Sequence, residues 1–217
     1  MANTAGQRIT PEELANSLTH GTGLALSVAA LAVLVVAAAL HGSVWHIVSF
    51  SVYGATLVCL YGASTLYHSV MSPPLKRVFK VVDHSAIYML IAGTYTAFTL
   101  VNLRGSWGWS LFGAVWGLSL LGIVLKVFFV DLFEIASTAV YLGMGWLVVI
   151  AHKPLFALVP HGGLVWLVAG GLAYTVGVAF YAWRSLRFHH AIWHVFVLLG
   201  SICHFFAVLY YVLPVKA

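Results

Sequence analysis

The sequence predicts an all-α integral membrane protein, a seven-transmembrane-helix bundle forming one domain over residues 1–217. Three observations carry this expectation. Of the 217 residues, 62% are hydrophobic and 7% are charged, too few charges to clothe a water-facing domain of this size. The mean hydropathy is +1.01, and the apolar residues gather in runs of about 20, the length that crosses a hydrocarbon core. The basic residues, which give a net charge of +5, lie in short connections between those runs. That pattern suits an anionic leaflet and argues against a nucleic-acid partner.

The elements follow in order. A polar segment, 1–17, opens the chain without a cleavable signal pattern, so the first span is expected to be retained. Within it Thr10, Pro11 and Glu13 have the spacing of an N-cap, a first-turn proline and a capping-box acid. The first two spans are expected at 18–40 and 44–68. The connection 71–83, MSPPLKRVFKVVD, is expected to break the helix at Pro73 and Pro74 ahead of a basic turn. The remaining spans are expected at 84–101, 107–125, 132–151, 163–183 and 191–213. There is no linker, low-complexity tract or convincing internal repeat, which gives an inverted-repeat transporter little support. Cys59 and Cys203 each sit inside an apolar run, as small fillers rather than as a disulfide or metal pair.

Orientation comes from the Lys and Arg count. One set of connections holds Arg8, Lys76, Arg77, Lys80, Lys126, Arg184 and Arg187, and the other holds Arg104, Lys153 and Lys216. Seven against three places the N-terminus in the cytoplasm and the C-terminus outside. The same orientation gathers the unusual polar residues at one depth. His68 ends span two, Asp83 begins span three, His190 and His194 begin span seven, and Glu13, Asn16 and His20 lead into span one.

His190 and His194 are four apart, so a helix stacks them on one face about 5–6 Å apart. That spacing suits two imidazoles on one zinc, and His68 can add a third nitrogen, leaving a fourth position open as in catalytic sites. An isolated pair of this kind more often bonds headgroups or neighbouring helices; the shared depth of His68 and Asp83 reverses that preference. Ser64, four residues before His68, shares its face, although a serine bonding its own i−4 carbonyl explains it alone. Asp83 is one of five acids, and a carboxylate at a span end is costly unless paired. It is either the proton acceptor of a zinc site or a partner of Lys80 or Arg77. "HAIWH" lacks the glutamate of H-E-x-x-H, so any base must come from another helix. Glu13 is explained equally by a cap and by a site. His204, fourteen residues after His190, falls within about 40° of the same face but deeper, as a structural histidine or a cavity wall. His84 and His189 are expected at the interface, and His41, His46, His152 and His161 at the outer ends.

The stretches "EELANSLTH", "STLYH", "VVDHSAIYMLIAGTYTAF" and "HAIWHVFVLLGSICHF" resemble the successive motifs of the hemolysin III proteins. These are the bacterial branch of the progestin and adiponectin receptor (PAQR) superfamily. The resemblance covers nearly the whole chain. It implies a seven-helix bundle with the N-terminus inside, in a bacterial plasma (inner) membrane. It implies zinc on His68, His190 and His194, with Ser64 and Asp83 around the metal water. It points to ceramidase-like hydrolysis of a lipid amide, with membrane lipids as partners and a role in membrane homeostasis. A non-enzymatic membrane-state sensor with structural zinc is the second expectation, and a pore-forming cytolysin the third. A retinal protein is excluded, because span seven has no lysine for a Schiff base and Lys216 lies beyond it.

Overall fold

The computed structural model describes residues 9–132 and 134–213. Without water, each backbone N–H and C=O must find its partner inside the protein, and a helix supplies these bonds locally. The described residues hold eight α-helices, one 3₁₀ turn and no strand: α1 (Pro11–His41), α2 (Val44–Ser69), α3 (Pro73–Leu100), α4 (Ser106–Phe129), α5 (Glu134–Trp146), the 3₁₀ turn (Leu147–Ala151), α6 (His152–Leu158), α7 (His161–Ala182) and α8 (His189–Tyr211).

Helix α1 starts where its capping residues lie. Thr10 Oγ1 accepts from the Glu13 N–H at 3.1 Å, and Pro11 occupies the first turn. The connection 71–83 departs from expectation. Pro73 and Pro74 start α3 instead of breaking a helix, because a first-turn proline lacks only an N–H that would be unpaired anyway. Lys76, Arg77, Lys80 and Asp83 are therefore helical. Helix α4 runs past its expected end to Phe129, so Lys126 is in its last turns and not in a connection.

The fifth run is a broken helix, α5, the 3₁₀ turn and α6 in succession. The hydroxyl of Tyr95 on α3 serves the break from both sides. It donates to the carbonyls of Met144 (2.9 Å) and Gly145 (3.0 Å) and accepts from the Val148 N–H (2.7 Å). Irregular backbone at this depth is tolerated where protein supplies the missing partners.

Six segments are long and apolar enough to cross a membrane: α1, α2, α4, Glu134–Leu158, α7 and α8. The expected count was seven, and α3 is the exception. Asp83, His84, Ser85, Thr94, Thr96 and Thr99 make it more polar than the others, while most of its C-terminal half is buried. Its three threonines are satisfied within the helix, each donating to the carbonyl four residues back at 2.7–2.8 Å.

Helix α3 lies against α2, α4 and α5; α1 packs on α2 and α8, and α7 on α5 and α8. Helices α1, α2, α3, α5, α7 and α8 thus close a ring, with α4 outside against α3. The α3–α4 contact needs Gly122, where an added Cβ would stand 2.3 Å from the Tyr88 ring. The ring surrounds a cavity of about 830 Å³ bordered by α3, α5, α6, α7 and α8. Val149, Val165, Val168 and Leu172 line it and are also about half exposed, and Phe156 more so, so it opens sideways between the broken helix and α7.

Candidate metal centre

Consecutive helices alternate direction, so the end of α2 and the starts of α1, α3 and α8 meet at one end of the bundle. His68, His190 and His194 come together there. Their ring centroids are 5.0 Å (68–190), 5.0 Å (68–194) and 4.6 Å (190–194) apart. One ring nitrogen from each lies within 4.8 Å of the others, a grouping able to hold a metal ion. His190 and His194 owe their shared face to the four-residue step on α8. His68 is delivered by the last turn of α2.

The hydrogen bonds choose which nitrogens face the centre. His68 Nδ1 lies 2.5 Å from Glu13 Oε2. The Asn16 amide is farther, at 3.4 Å, so the Nδ1–H donates to the carboxylate. That leaves His68 Nε2 unprotonated, buried and without a partner among the described residues. A buried imidazole nitrogen with an orphaned lone pair is satisfied by a metal or by an ordered water, and its place beside two other imidazoles suits a metal. A carboxylate behind a ligating histidine is also the usual way to fix its tautomer. His194 is set similarly: its Nδ1 donates to the Asn16 carbonyl at 3.2 Å, with Thr19 Oγ1 also at 3.2 Å.

The other expected residues divide. Glu13 belongs to the site and closes no capping box: only its backbone N–H takes part in the cap, donating to Thr10, while its carboxylate reaches His68 and accepts from Lys76 at 2.5 Å. Asp83 is buried and is paired with neither Lys80 nor Arg77, which turn to Asp131. The His84 imidazole adjoins it, with Oδ2 3.8 Å from Nδ1. Ser64 Oγ is buried beside the Asp83 carboxylate and does not bond its own i−4 carbonyl. Ser64, Asp83, His190 and His194 all line the cavity. His20 lines it too, stacked on His194 with centroids 3.4 Å apart and 13° between planes. Both of its ring nitrogens are without partners among the described residues.

His204 is not part of the cluster. It lies deeper in the cavity wall, with Nε2 3.2 Å from the Leu167 carbonyl, packed on Gly170.

Several participants escaped the sequence reading. Thr19 carried a signal, since it follows Asn16 by three on the same face. His84, expected at the interface, lines the cavity, and its Nδ1 donates to the Lys80 carbonyl at 2.8 Å. His46, expected to be solvated, accepts from the Ser43 N–H (3.0 Å) and donates to the Val212 carbonyl (3.2 Å), tying α2 to the end of α8.

Comparisons with known proteins agree on one family. Its model, described as haemolysin-III related, matches residues 9–205. The chain is 50% identical over 203 residues to hemolysin-3 of Bacillus cereus, covering 94% of this chain and 93% of that one. It is 52% identical over 204 residues to the hemolysin-3 homolog of Bacillus subtilis (strain 168), covering 94% and 96%. A distant similarity, 25% over 206 residues, links it to the human monocyte to macrophage differentiation factor, covering 91% and 83%. No solved structure matches the chain.

Proposed function

Since this multi-pass membrane protein belongs to the haemolysin-III-related family, we propose that it is a zinc-dependent hydrolase of lipid amide bonds, ceramidase-like, serving membrane lipid homeostasis. We also take α3 as the seventh span and place the N-terminus in the cytoplasm of a bacterial inner membrane. One observation carries the enzymatic reading: of three clustered histidines, His190 and His194 line a cavity that also holds a buried carboxylate free of Lys and Arg. A purely structural metal would not need that opening.

Zinc held by His68, His190 and His194 supplies Lewis acidity toward a carbonyl and toward water. The chain's own residues do the rest. Glu13 fixes the His68 tautomer and keeps its Nε2 lone pair directed inward. The Asn16 carbonyl does the same for His194. The apolar cavity seats an acyl chain and excludes bulk water, at a volume within the usual range for small-molecule sites. Asp83 Oδ takes the proton of the attacking water and returns it to the leaving amine nitrogen. Ser64 Oγ, beside Asp83, donates to an oxygen at the reacting carbon.

The test is fatty-acid release from a panel of lipid amides by purified protein, with zinc content measured in parallel. Asp83→Asn is nearly isosteric but cannot take the proton. It is expected to keep zinc and lose turnover by about 10²-fold or more. Equal, chelator-sensitive activity in both proteins would remove Asp83 from the mechanism.

A second reading has its own support. The centre joins α1, α2 and α8, because Glu13, His68 and the α8 pair come from three helices. A zinc brace at that junction would serve a sensor of membrane state. No release from any lipid amide by wild-type protein would favour it.

A further inference from the structure

Beside the metal centre, where α3 and α4 approach α5, four cations meet two acids. Lys80 donates to Asp131 at 2.8 Å, which holds that carboxyl below its ordinary range. Lys80 also lies 3.6 Å from Glu134, Arg77 lies 4.0 Å from Asp131, and Arg184 donates to Glu134 at 2.8 Å. The fourth cation, Lys126, is left over. It is only 2% exposed, and its Nζ has no partner among the described residues. It lines the large cavity together with Asp83, His84, Glu134 and Ser137.

An ammonium buried without a counter-ion is expensive. Here both nearby acids are engaged by other cations. His84 lies within electrostatic reach of both Lys126 and Asp83. The free position at Lys126 therefore faces an otherwise largely apolar space. A ligand that satisfies both has one anionic end and a long hydrocarbon body.

We propose that Lys126 is an anion subsite, holding the phosphate or carboxylate end of a long-chain amphiphile whose tail fills the cavity between α3, α5 and α7. The inference deepens the lipid reading above, since it rests on the cavity taking a lipid. It does not rest on the metal being catalytic.

The probe is cis-parinaric acid, a fluorescent fatty acid, against its methyl ester, titrated into full-length protein in neutral detergent both as purified and after metal chelation. The acid is expected to bind about tenfold or more tighter than the ester, with or without metal, the weight of a charge-assisted contact. Lys126→Met should abolish that preference while leaving ester affinity within about twofold. Lys126→Arg should keep it. Competition by an alkyl phosphate and by a fatty acid of equal chain length tells which source, a phosphate headgroup or a free carboxylate, the subsite prefers. No acid preference in the wild type would overturn the proposal even if Lys126→Met failed to fold. A preference that survives Lys126→Met, or that vanishes on chelation, would place the anion elsewhere and overturn it too. Because only binding is read, a failure to find lipid amide hydrolysis leaves this result standing, and the two readings fail separately.

Discussion

At the scale of single residues, the centre is organised by what stands behind two of its three imidazoles, His68 and His194. His68 shows it best, with one nitrogen committed to Glu13 and the other left bare. Glu13→Gln keeps the shape and leaves the Thr10 cap intact, because that cap uses the Glu13 backbone. It removes the charge that makes His68 a strong donor. Zinc affinity, measured by competition with a chromogenic chelator, is expected to fall by about 10- to 100-fold, with helix content unchanged. Unaltered affinity would reduce Glu13 to a partner for Lys76. The pairing of His190 with His194 was legible in the sequence because a helix turns a four-residue step into adjacency. The meeting of both with His68 was legible only through charge counts that put helix ends at a common depth. The bond from His68 to Glu13, 55 positions away, had no comparable signal, and Glu13 looked equally like a cap.

At the scale of elements, the errors fall where local chemistry has two solutions. Proline stops a helix in its interior and starts one in its first turn, and Pro73 takes the second option. Lysine usually ends an apolar run, so Lys126 read as a connection; the helix simply continues past it and buries it. The break between α5 and α6 had a local signal in Pro154, which sits in the first turn of α6 and would interrupt a continuous helix. What satisfies the broken backbone is on another helix, in the Tyr95 hydroxyl, which no local pattern can display. Tyr95→Phe tests that role. It leaves the ring in place but strips a partner from two carbonyls and one N–H. A loss of about 1–3 kcal/mol in unfolding free energy is expected, with faster amide exchange at Val148. A variant as stable as the wild type would mean that the break is held by packing alone.

At the scale of the whole molecule, six crossing segments follow from composition and length, whereas the seventh turns on α3. Protein surrounds it on three sides, so its polar residues would be tolerated if it crosses. With α3 crossing and seven cations against three, the C-terminus is expected outside. A C-terminal alkaline phosphatase fusion should be active and a C-terminal green fluorescent protein fusion dark. The reverse pattern would overturn the orientation and move the histidine cluster to the other face. The sideways mouth between the broken helix and α7 has a consequence of its own. A compartment that opens onto acyl chains is supplied in two dimensions, by lateral diffusion, and never through the surrounding water. With lipids as its ligands, as proposed above, entry would be governed by the mole fraction of each lipid in the leaflet. A scarce lipid would compete against the abundant ones, so occupancy would follow bilayer composition, whatever the total amount of membrane.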